Sequence, residues 1–268
     1  MALPTLMVAP NGARLGKSDH PGLPLTLEEI CSTAKACFAA GARGLHLHLR
    51  DKDGRHVLDA GYYREALSEL GLRVPGMAVQ VTTEAAGLYA PPQQRKVALA
   101  CGARSVSVAV SEMLAGVDDT VARDFYAACA ERGIEVQHIL YQPEDLHRLA
   151  RLLPLDDPAL QLLFVLGRYG AGGAQGPGAL LPFLAGLAHQ QISPDWAACA
   201  FGRQETSSLM AAHMAGGKLR VGFENSFWNL DGSRAESNAE RVAEIAAMTR
   251  GIQPPDPKSA DGRQAPLH

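Results

Sequence analysis

The stretch Gly44-Leu45-His46-Leu47-His48-Leu49-Arg50-Asp51 alternates histidine with leucine and closes on a charged pair. In a β-strand successive side chains point to opposite faces, so His46 and His48 share one face and the three leucines share the other. Two imidazoles on one face can reach a single ion, and neutral imidazole suits zinc and similar metals. The alternative is a strand with two polar residues on its solvent-exposed face. The stretch predicts a metal site if a third ligand comes from elsewhere.

On both sides of this strand, short apolar runs alternate with longer amphipathic runs, and the alternation repeats eight times. This rhythm is typical of successive strand and helix units. Besides the histidine stretch, the predicted strands cover residues 3–9, 77–82, 105–108, 134–140, 160–166, 196–201 and 218–221. The predicted helices cover residues 26–41, 61–70, 91–100, 144–153, 179–189, 204–215 and 236–249, and a further helix begins at residue 118. Eight such units predict a (β/α)₈ TIM barrel.

An open doubly wound sheet is the alternative fold, but its first strand is usually followed by a phosphate-binding glycine turn. The segment Asn11-Gly12-Ala13-Arg14 does not have that pattern. The chain has 268 residues, and single barrels of this kind occupy roughly 250. We therefore expect one catalytic domain over residues 1–250. Residues 251–268 lack periodicity and apolar content, which predicts a C-terminal tail.

Composition narrows the class of partner. Hydrophobic residues make up 47% and charged residues 20% of the chain, which is ordinary for a globular protein. The formal charge is −3 and the basic residues are scattered, so binding to nucleic acid or to an anionic membrane is not expected. The expected partner is a small molecule. Five widely spaced cysteines predict reduced, buried thiols rather than a disulfide framework. The N-terminus lacks a signal-peptide pattern, which predicts a cytoplasmic protein.

Catalytic groups of TIM barrels lie where the strands end at the carboxyl face. Thr82 ends the third predicted strand, and Arg220 and Glu224 flank the end of the eighth. Glu224 is the candidate third metal ligand; the alternative is an exposed loop carboxylate. Arg220 is the candidate clamp for a substrate carboxylate, because its planar guanidinium matches that geometry. A structural ion pair is its competing role.

Two segments carry a family resemblance, GARGLHLHLRD at residues 41–51 and GGKLRVGFEN at residues 216–225. They resemble the β-keto acid cleavage enzymes, the family of 3-keto-5-aminohexanoate cleavage enzyme. Shorter matches extend the similarity over about residues 3–250, at residues 11–13, 23–26, 164–167 and 236–240. The resemblance implies a zinc-dependent TIM barrel, usually a homotetramer, that converts a β-keto acid and acetyl-CoA into acetoacetate and a new acyl-CoA. It also implies that His46, His48 and Glu224 bind the zinc.

The chemistry of that reaction explains these residue types. A divalent ion can stabilise the enolate that forms when C2 of a β-keto acid loses a proton, while Arg220 holds the substrate carboxylate. Thr82 matches a small hydroxyl position of the family, which implies a role in substrate or oxyanion binding. The alternative is a buried threonine that is hydrogen-bonded to backbone.

One departure from the family pattern concerns the general base. Where the family has an acidic residue after the metal-binding glutamate, this chain has Asn225, whose amide cannot accept the proton and which we assign to substrate binding. The base is then another carboxylate, such as Glu84 or Glu205, or a metal-bound hydroxide, unless the reaction itself differs. Glu205 follows the seventh strand and is the candidate catalytic acid–base group, although a glutamate in the first turn of a helix can simply favour the helix dipole.

The second departure is Arg14, which stands where the aminohexanoate-cleaving enzyme has an acidic residue. This charge reversal disfavours a substrate with an ammonium group, so we predict a β-keto acid without a distal cation, with a second carboxylate or a polar neutral end. Arg14 could instead face CoA phosphates or solvent.

Two other features leave alternatives open. The glycine-rich loop of residues 167–176 follows the sixth strand and could cover the site or be a surface connection. On the fifth strand, either Gln137 or His138 faces the barrel mouth. If His138 does, an amidohydrolase-like hydrolase is the rival reading, although its histidine pair would lie on the first strand. A barrel that binds a metal or metabolite without catalysis is the second rival.

Overall fold

The computed structural model of the chain describes residues 2–114, 116–169, 173 and 175–252. Ten strands occur in this part: β1 (Leu6–Val8), β2 (Gly44–Leu47), β3 (Leu49–Arg50), β4 (His56–Val57), β5 (Ala78–Val81), β6 (Ser105–Ala109), β7 (Glu135–Leu140), β8 (Gln161–Leu166), β9 (Asp195–Ala200) and β10 (Lys218–Val221). Eight of them form a closed parallel barrel in the order β1-β10-β9-β8-β7-β6-β5-β2. The predicted TIM barrel is confirmed.

Helices connect the strands of the barrel. The described helices are α1 (Leu27–Ala40), α2 (Ala60–Arg73), α3 (Pro91–Ala100), α4 (Val110–Met113), α5 (Asp119–Glu131), α6 (Glu144–Ala150), α7 (Leu181–Gln190), α8 (Glu205–Met214) and α9 (Asn238–Thr249). Local sequence explains where several of them begin. Thr26 and Glu29 form the predicted capping box of α1, and Ser237 caps α9 by accepting from the N–H of Glu240.

The core has two layers, because side chains alternate along each strand. One layer fills the space between strands and helices and includes Val8, Leu45, Leu47 and Leu162. The other lies inside the barrel, with Ile139, Leu163, Val165, Cys199 and Phe201. The barrel interior is therefore a packed core.

The histidine strand is shorter than the alternating pattern indicates. β2 ends at Leu47, and β3 begins after His48 and pairs antiparallel with β4 in a small separate sheet. The sequence pattern does not reveal this hairpin because its two-residue strands are too short to show a period. Arg50 holds it to the loop after β1 by donating to the carbonyls of Asn11, Gly12 and Leu15.

All five cysteines are free and buried, as expected. Most of the predicted tail, residues 253–268, lies outside the described residues, so the domain boundary at residue 250 stays a prediction. Among the described residues, no helix has the length and apolar character needed to cross a bilayer.

Candidate metal centre and active site

Three predicted metal ligands come together at the carboxyl end of the barrel. The Nε2 atoms of His46 and His48 lie 3.1 Å apart, and Oε2 of Glu224 lies 3.8 and 3.6 Å from them. One ligand atom from each residue fits within 4.8 Å of the others, and all three residues are buried. Among the described residues no other group of three or more His, Cys, Asp or Glu side chains meets this spacing.

Two glycines allow Glu224 to reach the histidines. Gly222 has a φ of +140°, and a Cβ there would lie 2.5 Å from the carbonyl oxygen of Ala9, so the turn after β10 tolerates glycine only. Gly12 has a φ of +58°, and a Cβ there would lie 2.6 Å from Cγ of Glu224. The loop after β1 can therefore pack directly against the glutamate side chain.

A chain of amides fixes the orientation of His46. Its Nδ1 lies 2.9 Å from Oε1 of Gln80, whose amide donates to Oε1 of Gln137 over 3.0 Å, and Gln137 in turn donates to the carbonyl of Leu162. An imidazole that donates from Nδ1 keeps its Nε2 lone pair for a metal. Burial, followed by the charge of Arg220, lowers the pKa of His46 well below its usual value. The neutral, ligating form is thus favoured.

The donor set fits a divalent metal. Two imidazole nitrogens bound to one tetrahedral zinc at about 2.0–2.1 Å lie about 3.3 Å apart, close to the 3.1 Å between His46 and His48. Oε2 of Glu224 is buried and has no hydrogen-bond partner among the described residues. A buried carboxylate oxygen without a partner is costly, and a cation would satisfy it. Two histidines and one glutamate are also a ligand set of catalytic zinc sites.

A cavity of about 330 Å³ opens beside this cluster. Its walls include Arg14, Glu84, Glu112, Tyr141, Val165, Arg168, Tyr169, Phe201, Arg220, Glu224 and Asn225. A smaller adjoining cavity reaches the two histidines and Thr82. Four of these residues were not predicted from the sequence: Glu112, Tyr141, Tyr169 and Phe201. The only sequence feature that could have identified them is their position, because each lies at or just past the end of a barrel strand.

Arg220 and Asn225 face this cavity with unused hydrogen-bonding capacity. Nη2 of Arg220 lies 3.3 Å from Oε1 of Glu224, whereas Nε and Nη1 are buried and without a partner among the described residues. Both side-chain polar atoms of Asn225 are also unpartnered there. Buried donors of this kind indicate a polar ligand. The predicted ion-pair role and the predicted clamp role of Arg220 are therefore compatible.

Glu84 lies between the candidate metal ligands and Arg14. Its Oε2 is 3.9 Å from Nδ1 of His48, and its Oε1 is 3.4 Å from Nη2 of Arg14. Burial, followed by the negative charge of Glu224, raises the pKa of Glu84 to about 7 against the lowering effect of Arg14. A carboxylate with a pKa near neutrality suits proton transfer.

Thr82 acts on Glu84 in this structure. Its Oγ1 accepts a hydrogen bond of 3.0 Å from the backbone N–H of Glu84, and its own side chain is buried at the cavity wall. The hydroxyl oxygen is therefore hydrogen-bonded to backbone, as the alternative interpretation of this residue expected, and it holds the Glu84 backbone in place.

Glu205 is not brought to the cavity, and the structure argues against the sequence interpretation of this residue as the acid–base group. Its side chain is fully buried and forms an ion pair with Arg241 over 2.9 Å, and its Oε1 accepts from the N–H of Gly222. The first turn of α8 directs it toward α9, away from the described cavity walls. Glu84 is the better placed of the two candidate carboxylates.

Arg14 lies at the rim of the cavity. Its side chain is 47% exposed, and its guanidinium is 5.6 Å from the ring centre of Tyr169. The hydroxyl of Tyr169 donates to the carbonyl of Glu224 over 2.6 Å. A positive charge thus lies at the entrance, against an aromatic ring whose hydroxyl is hydrogen-bonded to Glu224.

The structure decides which residue of the fifth predicted strand faces the barrel interior, but it does not decide the role of the glycine-rich loop. Gln137 faces the barrel interior, whereas His138 packs outward with its ring 5.1 Å from that of Tyr126. The histidine needed by an amidohydrolase-like site is therefore absent from the described cluster. In the glycine-rich loop, Gly167 has a φ of +99° and lies too close to the carbonyl of Gly173 for a Cβ. Residues 170–172 and 174 lie outside the described residues, so a covering role stays a prediction.

Comparison with known proteins places the chain in a family. The sequence profile of the beta-keto acid cleavage enzyme family matches residues 5–265. A 3-keto-5-aminohexanoate cleavage enzyme of Fusobacterium nucleatum is 25% identical over 252 residues, which cover 90% of this chain and 89% of the relative. A 3-oxoadipate:acetyl-CoA acetyltransferase of Cupriavidus necator is 25% identical over 257 residues, covering 91% and 87%.

The fold also matches a solved structure, a ternary complex of ObcA with a C4-CoA adduct and oxalate. The TM-score is 0.67 at 17% identity, and the match covers 85% of this chain but 64% of the ObcA chain. At that identity the likeness concerns the fold alone. The family match over nearly the whole sequence carries the assignment: this chain is an enzyme that belongs to the beta-keto acid cleavage enzyme family.

Proposed function

We propose that this enzyme transfers the acetyl group of acetyl-CoA to C2 of a β-keto acid and releases acetoacetate and a new acyl-CoA. The observation that supports this most is the buried cluster of His46, His48 and Glu224 beside unpartnered donors of Arg220. One wall of the cavity thus suits a metal, and an adjacent wall suits a carboxylate. A β-keto acid has a ketone and a carboxylate two bonds apart, which matches such a pair of sites.

The proposed ion is zinc, held by His46, His48 and Glu224. When bound, it would supply a Lewis acid that stabilises negative charge on a substrate oxygen. Arg220 would bind the substrate carboxylate with its free Nε and Nη1 groups, and Asn225 would offer an amide donor and acceptor to the same ligand. These contacts would hold C2 at the side of the cavity where Glu84 lies.

We assign the proton transfers to Glu84. Its carboxylate would take a proton from C2, and the carbanion would attack the thioester carbon of acetyl-CoA, forming a carbon–carbon bond and releasing CoA as a thiolate. The thiolate then attacks the ketone carbon of the original acid, and the bond between C2 and C3 breaks. Glu84 would return its proton to the acetoacetate carbon, so that the carboxylate is regenerated.

Arg14 supports the finer proposal that the substrate lacks a distal ammonium group. Its positive charge stands at the cavity rim, where it would repel an ammonium and attract a carboxylate. The Cupriavidus relative is named for 3-oxoadipate, a β-keto acid with a second carboxylate. A substrate with an anionic or neutral polar end is the expectation for this chain.

The experiment is incubation of the purified, zinc-loaded protein with acetyl-CoA and a panel of β-keto acids with cationic, neutral and anionic ends. We expect equal amounts of acetoacetate and a new acyl-CoA, resolved by liquid chromatography and mass spectrometry. Hydrolysis of substrates without CoA would instead support an amidohydrolase-like activity. Absence of turnover across the panel would contradict the proposal and favour a binding protein.

The family resemblance further suggests a cytoplasmic homotetramer. Light scattering of the purified protein tests the assembly and is expected to give four times the mass of the chain. A monomer or dimer would contradict that expectation while leaving the catalytic proposal unaffected.

A further inference from the structure

We propose that Asn11 and Asn238 are positioning residues that hold the backbone carrying two metal ligands, His48 and Glu224. This inference rests on the proposed metal site. It gives a role to two segments that the catalytic proposal does not use: the Asn-Gly-Ala motif after β1 and the Glu-Ser-Asn motif at the start of α9.

Asn238 holds the turn that carries Glu224. Its Oδ1 accepts a hydrogen bond of 2.9 Å from the N–H of Phe223, and its Nδ2 donates over 3.0 Å to the carbonyl of Pro10. The side chain is 1% exposed, so water does not compete for these groups. The N–H of Glu224 itself donates to the carbonyl of Ala9. The turn is thus fixed to the loop after β1 at successive residues.

Asn11 holds the other ligand. Its Nδ2 donates over 3.2 Å to the carbonyl of His48 and over 2.9 Å to the carbonyl of Pro24, and the residue is fully buried. His48 lies one residue beyond the end of β2, where the barrel ladder no longer fixes its backbone. A side-chain donor from the neighbouring loop replaces the missing ladder contact.

The two asparagines act on one strand of backbone. Asn238 binds the carbonyl of Pro10, and Pro10 immediately precedes Asn11. The contacts therefore run without a break from Glu224 through the loop after β1 to His48. These ligands lie on opposite sides of β1 in the barrel order, so the loop is the short route that joins them.

Asparagine is the residue type that this arrangement requires. Asn238 must accept from one backbone group and donate to another, which aspartate cannot do because its ionised carboxylate only accepts. Space is also limited, since a Cβ on Gly222 would lie 2.9 Å from Oδ1 of Asn238. Outer contacts that orient metal ligands typically change metal affinity by about 10- to 100-fold when they are removed.

The test compares Asn11→Ala and Asn238→Ala with Asn229→Ala. Asn229 also makes several hydrogen bonds, to Ser233, Glu240 and Arg241, but none to the backbone near a metal ligand. Zinc affinity is measured by competition with a chromophoric chelator, and thermal unfolding of the metal-free proteins is followed in parallel. We expect a loss of affinity of about tenfold or more in the first two variants and within about twofold in the control.

Hydrogen–deuterium exchange of the metal-free proteins gives a readout that needs no zinc. Asn238→Ala is expected to speed exchange at the Phe223 amide, whereas Asn238→Asp keeps the acceptor and preserves that protection while still weakening zinc binding.

The outcomes separate the two proposals. Zinc affinities that fall equally in all three alanine variants, or unchanged exchange at Phe223 in Asn238→Ala, would overturn the positioning role. If the wild-type protein binds no zinc, the proposed metal site is refuted, and the exchange data still decide whether Asn238 holds the turn.

Discussion

Nη2 of Arg220 lies 3.3 Å from Oε1 of Glu224, four residues later in the chain. Both side chains are buried. The contact leaves Oε2 of Glu224 directed toward the histidines, and it leaves Nε and Nη1 of Arg220 without a partner among the described residues. One ion pair therefore orients a candidate metal ligand and the proposed substrate clamp together. Metal binding and substrate binding can nevertheless be tested by separate substitutions.

Glu224→Gln is expected to weaken zinc binding by more than about 100-fold, because an amide oxygen is a poorer ligand and lacks the negative charge. The measurement is zinc retained after dialysis, determined by elemental analysis. Glu112→Gln is the matched control, since Glu112 lines the same cavity without belonging to the cluster. Full zinc retention by Glu224→Gln would refute its assignment as a ligand.

Arg220→Lys keeps the positive charge but loses the planar guanidinium. We expect kcat/KM to fall about 10- to 100-fold because a lysine cannot bind a carboxylate through two parallel hydrogen bonds. Steady-state kinetics with the best β-keto acid measures the effect. Arg168→Lys, an exposed position on the same cavity, is expected to change kcat/KM by less than about threefold. Equal losses in both variants would argue against a specific clamp.

Glu84→Gln is expected to lower kcat by about 10²- to 10⁴-fold while zinc stays bound, because the variant cannot accept the C2 proton. The pH dependence gives a second readout. The wild-type rate is expected to rise with pH as the carboxyl of Glu84 loses its proton, and this rise should be absent in the residual activity of the variant. A wild-type profile that is retained in Glu84→Gln would assign the proton transfer elsewhere.

Arg14→Gln removes the positive charge at the cavity rim. The ratio of kcat/KM for a β-keto acid with an anionic end to that for one with an ammonium end is expected to fall about fivefold, in line with about 1 kcal/mol for a partly exposed charge. Competition assays with both substrates give this ratio directly. If the wild-type enzyme already prefers the ammonium substrate, the charge argument fails.

His138 predicts how stability depends on pH. Its burial lowers its pKa to about 3, below the usual value of 6.5 that it regains on unfolding. The unfolded chain therefore binds more protons between these values, and stability falls as the pH decreases through this window, by about 2 kcal/mol at pH 5 from this group.

His138→Leu is expected to reduce the difference in the free energy of unfolding between pH 7.5 and pH 5 by that amount. The measurement is urea unfolding of the metal-free protein at both pH values. His189→Leu, which removes a histidine at an exposed position, serves as the control. An unchanged difference in His138→Leu would show that the histidine is protonated in the folded protein.

The barrel itself followed from local patterns. Eight apolar runs separated by amphipathic segments gave every barrel strand, and boundaries moved by a few residues, as with β1 at Leu6–Val8 against a predicted 3–9. The two-residue strands β3 and β4 and the short helix α4 escaped because they span less than two periods of any pattern.

The sequence alone also determined which residue types could form the site, because His46 and His48 are neighbours on one strand and Glu224 follows another strand end. Tertiary structure decided between residues of the same type. Glu84 and Glu205 both follow strand ends. The carboxylate of Glu84 faces the cavity beside His48, whereas that of Glu205 is buried in an ion pair with Arg241. The direction of a side chain past a strand end depends on turns and on partners far away in the chain, and no local period encodes them.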